Sequence, residues 1–192
     1  MKIFFTSDTH FNQQRTLSLS RRPFNSLEEM NAALVYNWND IVSNEDTVYH
    51  LGDFGDPTFL KELNGKEIYL IPGNYEDREG EIDKLKAQDV NGRLTIGKRH
   101  ALHHISDTDL WLTHEPVTKF PYNDPLLYGR DKFFLFGHIH RLGMIKRNGL
   151  NVGVDCHYFK PIGMDVIDFY REAIFNYYDE NVFSSTVTGV KI

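Results

Sequence analysis

Short apolar runs, each followed by polar residues, recur through the first half of the chain. They predict three buried strands, over Lys2–Thr6, Thr47–Leu51 and Glu67–Ile71. Runs of this length suit strands and are too short for amphipathic helices. Strands separated by helical patterns are typical of an α/β protein.

Helical patterns lie between and after these strands. The predicted helices cover Leu27–Val42, Pro57–Leu63 and Glu76–Gln88. Ser26 and Glu29 have the spacing of a capping box, which marks the start of the first helix. Asp56 suits the N-cap of the second helix, because proline follows it. The third pattern is strongly charged, so we expect that helix on the surface.

The second half of the chain is richer in short strands. We predict them over Arg93–Ile96, His100–Ile105, Asp109–Thr113, Lys132–Phe136 and Leu150–Val154. A last helix is predicted over Met164–Tyr178, with Val166, Phe169, Tyr170 and Ile174 facing inward, and Ser184–Ile192 forms an edge strand or a loose tail. Together the two halves favour helices packed on two sheets.

The composition is that of an ordinary globular chain. The 192 residues are 41% hydrophobic and 25% charged, which excludes a disordered, collagen-like or disulfide-stabilised class. We predict a single domain over residues 1–192. Cys156 is the only cysteine, so a reducing, cytoplasmic location is expected. No apolar run approaches the roughly 18 residues of a membrane span, so no membrane partner is expected.

The charge balance is acidic. Lys and Arg number 21 against 27 Asp and Glu, a net charge of −6. An acidic chain without a basic run disfavours duplex nucleic acid as a partner. The oligomeric state stays open. Bound metal ions would reverse the sign of the charge locally, so a phosphate ester remains compatible with this balance.

Polar, metal-capable residues follow five of the predicted strands. They are Asp8 and His10, Asp53, Asn74, His114, and His138 and His140. Because ligands bind at the carboxyl ends of strands in layered α/β proteins, we expect these side chains to meet in one crevice. Carboxylate, amide and imidazole donors without thiolate suit Mn²⁺, Fe, Zn²⁺, Ni²⁺ or Mg²⁺ rather than copper or an iron–sulfur cluster.

The order of these motifs resembles the calcineurin-like metallophosphoesterase superfamily. The motifs are D-x-H, G-D-x-x-D, G-N, T-H and G-H-x-H, and they extend from Asp8 to His140. The chain particularly resembles the small single-domain prokaryotic and phage branch. The resemblance implies a four-layer αββα sandwich of two mixed β-sheets flanked by helices.

The resemblance also implies a dinuclear metal centre, with Mn²⁺ as our first choice. Asp8, His10 and His140 would hold one ion, Asn74, His114 and His138 would hold the other, and Asp53 would bridge them. Two such ions generate a bridging hydroxide and clamp the phosphoryl oxygens during in-line attack. The catalytic set implied is Asp53, Asn74, Tyr75 and His114.

One position departs from the family pattern. Tyr75 follows Asn74, where the family has a histidine that binds the phosphate and helps to protonate the leaving group. A phenol, with an ordinary pKa of about 10, is a poor proton donor to an alkoxide. We therefore expect a phosphodiesterase acting on a small or nucleotide-type substrate, rather than an enzyme for alkyl monoesters.

Other functions and residues stay open in the sequence. The alternatives are a phosphomonoesterase or protein phosphatase, a nuclease, and a non-catalytic protein-binding scaffold with the same fold. Asp56 either orients a ligand histidine or only caps its helix. Asn12, Arg15 and Arg78 are candidates for substrate contacts or for solvated surface residues, and Thr118–Arg130 is a candidate pocket rim.

Overall fold

The computed structural model describes residues 1–116, 133–146 and 148–177. Within these ranges ten strands form two five-stranded sheets. In chain order the strands are β1 (Ile3–Thr6), β2 (Thr47–His50), β3 (Glu67–Leu70), β4 (Leu94–Ile96), β5 (His100–Ile105), β6 (Thr108–Thr113), β7 (Phe133–Phe136), β8 (Ile145–Lys146), β9 (Gly149–Asn151) and β10 (Ile162–Gly163).

Both sheets are mixed. The first has the order β10-β1-β2-β3-β4, in which β1 to β4 are parallel and β10 is antiparallel to β1. The second has the order β5-β6-β7-β9-β8, with β6, β7 and β9 parallel. In the first sheet Thr6 lies beside His50, and His50 lies beside Leu70. The carboxyl ends of β1, β2 and β3 are therefore level, and their following loops meet.

Four helices accompany the sheets in the described ranges. They are α1 (Gln14–Leu19), α2 (Leu27–Ile41), α3 (Glu81–Gln88) and α4 (Met164–Tyr177). The capping box is confirmed, since the Ser26 hydroxyl accepts a hydrogen bond from the Glu29 N–H. A 3₁₀ helix, Pro57–Glu62, follows Asp56. None of the helices described here is long and apolar enough to cross a membrane.

The first sheet separates two apolar cores because successive strand residues face opposite sides. Phe4 packs with Met30 and Trp38 of α2 on one side. Phe5 packs with Leu112 and Leu135 of the second sheet on the other. The prediction of an α/β fold with two mixed sheets and flanking helices is confirmed.

Several predicted boundaries are wrong. The helix expected from Glu76 begins only at Glu81, since residues 74–80 form turns that bury the Glu76 side chain. The strand expected over Leu150–Val154 ends at Asn151, and Val154 begins a 3₁₀ helix.

The inward face of α4 is confirmed at Val166, Tyr170 and Ile174, which pack on the core between the sheets. The prediction is wrong for Phe169, which is 65% exposed, and Ile167 is buried in addition. Helix α1 and the short strands β8 and β10 were not predicted. The predicted segments Thr118–Arg130 and Ser184–Ile192 lie outside the described residues.

Candidate metal centre

The loops after the strands hold several site residues in a left-handed backbone conformation. The φ angles are 57° at Asp8, 50° at His10, 57° at Asp53, 70° at His138 and 49° at His140. Asp and His adopt this conformation more readily than most residues with a side chain. Such conformations persist where surrounding contacts hold them, and they cluster at functional sites.

The first cluster of side chains joins Asp8, His10 and His140. One potential ligand atom from each lies within 4.8 Å of the others. His10 Nε2 is 3.9 Å from Asp8 Oδ1. The His10 and His140 rings stack with their centroids 5.1 Å apart. The structure thus brings together the three residues predicted for one ion.

A second cluster joins Asp8, Asp53 and His114. His114 Nε2 is 3.4 Å from Asp53 Oδ2 and 3.3 Å from His138 Nδ1. The same Asp53 oxygen is 3.6 Å from His10 Nε2. Asp53 therefore lies between His10 of the first cluster and His114 of the second, and Asp8 belongs to both clusters.

Hydrogen bonds at Nδ1 aim the Nε2 of His10 and the Nε2 of His114 into the site. The Nδ1 of His10 is 2.8 Å from Gln13 Oε1, and that of His114 is 2.7 Å from the Leu51 carbonyl oxygen. An oxygen acceptor at Nδ1 fixes the proton there and leaves the Nε2 lone pair free. His10 Nε2 is buried and has no hydrogen-bond partner. This donor set fits a divalent cation.

Charge and burial act in opposite directions on these groups. Burial lowers the pKa of His10 to about 4, which keeps its ring neutral at pH 7. Burial also acts to lower the pKa of His114, but the Asp53 hydrogen bond and the Asp8 and Asp53 charges raise it to about 9. Burial acts to raise the pKa of Asp53, yet His114 and His10 bring it well below its usual range. The negative charge that favours a proton here would also favour a cation.

The remaining predicted residues line the same cleft. Asn74 is exposed, with Nδ2 3.4 Å from His138 Nδ1 and Oδ1 accepting a hydrogen bond of 2.9 Å from Arg99. The Tyr75 ring meets the His10 ring edge-on, with centroids 5.1 Å apart. The Tyr75 N–H donates to Asp53 Oδ1 at 3.0 Å. Tyr75 is thus part of the cleft wall.

Glu76 is a buried site residue whose role was not predicted. Its carboxylate accepts backbone hydrogen bonds from Asp53 and Phe54, each of 2.9 Å, and from Gly73, of 2.8 Å. The side chain therefore ties the loop after β2 to the loop after β3. The acidic residue two positions after Asn74 was visible in the sequence, but its place in a charged stretch favoured a surface helix.

A buried ion pair behind the first cluster was also not predicted. The Arg22 guanidinium donates to both oxygens of Asp155, and Asp155 Oδ2 is 2.7 Å from His140 Nδ1. Asp155 therefore orients His140. The suggestion that Asp56 orients a ligand histidine is wrong, because its oxygens accept from Thr58 and Asn12 instead. No sequence motif links Arg22 to Asp155.

His50 is buried next to the site but belongs to its support. Its Nδ1 accepts a hydrogen bond from the Gly52 N–H at 3.2 Å, and its Nε2 is 2.9 Å from the Thr9 hydroxyl. The Thr9 hydroxyl donates to the Phe54 carbonyl at 2.8 Å. Burial lowers the pKa of His50 to about 3, so the ring is neutral and joins the loops after β1 and β2.

Comparison with known proteins gives one family and a small set of relatives. The model of the calcineurin-like phosphoesterase superfamily domain matches residues 1–157. The uncharacterized protein MJ1445 of Methanocaldococcus jannaschii is 32% identical over 181 residues, covering 86% of this chain and 89% of the relative. The crystal structure of AQ665, a protein of unknown function from Aquifex aeolicus, has a TM-score of 0.66 at 24% identity. That match covers 88% of this chain and 98% of the other.

Proposed function

The chain belongs to the calcineurin-like phosphoesterase superfamily, and from that premise we propose that it is a metal-dependent phosphodiesterase for small or nucleotide-type substrates. The observation that carries the proposal is the convergence of imidazole nitrogens from His10 and His114 on the carboxylates of Asp8 and Asp53. A protein-binding scaffold has no need of a buried, unpartnered His10 Nε2.

The proposed ligand sets start from the two clusters, which share Asp8. Asp8, His10 and His140 would hold one ion, and Asp53, whose Oδ2 is near both His10 and His114, would contribute to both ions. Asn74, His114 and His138 hold the second ion. Two divalent cations, with Mn²⁺ as first choice, would supply the positive charge that activates water and attracts a phosphate ester.

Tyr75 favours diesters and aryl esters as substrates. Its ring lines the cleft with Asp53, Asn74, His138 and His140. A phenol there donates a hydrogen bond to a phosphoryl oxygen but is a weak acid toward an alkoxide leaving group. Aryl leaving groups do not need that proton, so aryl esters remain good substrates.

Paired assays with Mn²⁺ test this function. We expect the protein to hydrolyse bis-p-nitrophenyl phosphate at least about 10²-fold faster than an alkyl monoester, since losing a general acid lowers rates by roughly 10²–10⁴. Tyr75→His should raise alkyl monoester hydrolysis, and Tyr75→Phe serves as the control for ring size. Equal or reversed rates on the two substrates would contradict the proposal.

Metal analysis separates this function from a scaffold. The enzyme should bind two equivalents of Mn²⁺ and lose hydrolysis on chelation. A purified protein that binds no divalent ion and hydrolyses neither substrate would reject the proposed activity.

A further inference from the structure

Two arginines stand at the mouth of the metal cleft. Arg15 of α1 and Arg78, in the turn that follows β3, line a cleft of about 300 Å³ together with His10, Asp53, Asn74 and Tyr75. Both arginines are exposed. Two positive charges thus flank the candidate metal centre of a protein whose net charge is −6.

Neither guanidinium is used in an ion pair within the part of the chain that the structure describes. Arg22 and Arg99, in contrast, pair with Asp155 and with Asp77 and Glu115. The Arg78 guanidinium instead contacts the Tyr75 ring. Its central carbon, Cζ, lies 3.9 Å from the centroid of that ring. The charges of Arg15 and Arg78 remain available to an anionic ligand.

The stacking on Tyr75 prepares Arg78 for such a ligand. The Tyr75 ring, whose centroid is 3.9 Å from the central guanidinium carbon, restricts the positions of the Arg78 N–H donors. Those donors match the spacing of two phosphate oxygens, so a bidentate pair forms with little loss of side-chain freedom. Tyr75 therefore connects the metal cleft to the Arg78 guanidinium.

A second groove adjoins the cleft and shares Arg15, Tyr75 and Arg78 with it. It has a volume of about 440 Å³ and is lined by Arg15, Tyr75 and Arg78, by Asn12 and Lys84, and by the carboxylates of Asp56 and Glu81. Lys84 is engaged by Glu81 at 2.6 Å. The two arginines are thus the free cations shared by the cleft and the groove among the described residues.

We propose that Arg15 and Arg78 bind a second phosphoryl group of the substrate, beyond the one that is cleaved. The preferred substrate is then a phosphodiester that carries an additional phosphate, held where the cleft meets the groove. This inference rests on the proposed phosphodiesterase function and names the substrate class for it.

Matched p-nitrophenyl esters test the proposal. Thymidine 5′-(p-nitrophenyl phosphate) and its 3′-phosphorylated form share the bond that is broken and differ by one anionic group. We expect the 3′-phosphate to raise kcat/KM about tenfold or more, chiefly through KM, because charge-assisted hydrogen bonds carry at least that much binding energy. The ratio of the two values should fall to about one in the double variant Arg15→Gln and Arg78→Gln, since the charged donors are lost.

The control removes two positive charges elsewhere. Lys66→Gln and Arg171→Gln, combined, change residues outside the cleft and groove and should keep the wild-type ratio. The p-nitrophenyl ester of thymidine 5′-diphosphate adds a third arm. A larger gain for this ester places the second phosphoryl group next to the cleaved one, and a larger gain for the 3′-phosphate places it across the sugar.

Different results would reject the second phosphoryl site and the phosphodiesterase function. Hydrolysis of all the esters with no gain from an added phosphate, or a gain that survives in the arginine double variant, would overturn the second phosphoryl site. Absence of hydrolysis for every ester, including bis-p-nitrophenyl phosphate, would instead reject the proposed function.

Discussion

The Arg22 guanidinium and the Asp155 carboxylate form a bidentate ion pair in which both side chains are fully buried. Nε lies 3.0 Å from Oδ1, and Nη2 lies 2.9 Å from Oδ2. Arg22 also donates to the carbonyl oxygens of Asp8 and Thr9, at 2.6 and 2.8 Å. The pair therefore connects the backbone of the first metal loop to the carboxylate that orients His140.

Arg22→Met should destabilise the fold. Removing one partner leaves the buried Asp155 charge with only His140 beside it, and breaking a buried pair lowers stability by about 3–5 kcal/mol. Urea denaturation gives the free energy of unfolding. Arg171→Met, which breaks the half-buried contact of Arg171 with Asp168, at 3.8 Å, is the control and should change stability by under about 1 kcal/mol. Similar losses in both variants would contradict the assigned importance of the buried pair.

Glu76→Gln should loosen the loops after β2 and β3. Three backbone N–H groups point at the carboxylate, so the amide NH₂ of glutamine would face a donor at one of them. We expect a loss of about 2–3 kcal/mol in the free energy of unfolding. Glu79→Gln, at an exposed position nearby, should be close to neutral. If Glu76→Gln leaves the free energy of unfolding unchanged, the two loops do not depend on the charge of Glu76.

The positions of the site residues are easier to predict from the sequence than the contacts that hold these residues in place. Asp8 and Asp53 follow the parallel neighbours β1 and β2, and parallel pairing brings such positions to one edge of the sheet. His114 follows β6 of the second sheet and meets them from there. Local sequence patterns, with the rule that ligands bind at the carboxyl ends of strands in layered α/β proteins, are enough for this prediction. The structure therefore brings together side chains that are far apart in the chain, as expected.

The supporting contacts depend on long-range packing, which periodicity does not encode. Arg22 and Asp155 are separated by 133 positions and have no shared motif. Glu76 lies in a charged stretch that is typical of a surface helix, but its carboxylate accepts hydrogen bonds from backbone N–H groups of two loops. The last helix is correct, and Val166, Tyr170 and Ile174 pack on the core between the sheets as predicted. Phe169 is exposed instead, and Ile167 is the further buried residue of that face.

Asp53→Asn should weaken metal binding at both clusters. Asp53 lies 3.4 Å from His114 Nε2 and 3.6 Å from His10 Nε2, so the loss of its charge affects both sets of ligands. Calorimetric titration with Mn²⁺ should show a loss of affinity of about 10²-fold or more, as expected for removing a buried anionic partner. Asp56→Asn, which keeps a capping oxygen, should bind as the wild type does. Two unchanged binding events in Asp53→Asn would remove the bridging assignment.

Asp46 should make stability depend on pH in the acid range. The Ser43 hydroxyl, with the N–H groups of Lys2 and Ser43, lowers the pKa of Asp46 from 3.8 to about 2. A carboxyl with a lowered pKa in the folded state stabilises the fold above its unfolded pKa, and this contribution disappears as pH falls through the folded pKa. Asp46→Asn should therefore be less stable than the wild type at pH 7, with a difference that shrinks between pH 4 and pH 2. A difference between Asp46→Asn and the wild type that stays constant from pH 7 to pH 2 would contradict this role of Asp46.

Gly137→Ala should disturb the first metal cluster through contact alone. A methyl group at this position would overlap Ser7 Oγ and Asp8 Oδ2, both of which are held in the buried loop after β1. Backbone and side chains there must move, and such overpacking destabilises by about 1–3 kcal/mol. Gly143→Ala is the matched control, since its methyl group would meet the flexible end of Lys146, which can swing away. Thermal unfolding and Mn²⁺ titration should both separate the two variants; equal behaviour would mean that the loop carrying Asp8 yields freely and is not a rigid support for the ion.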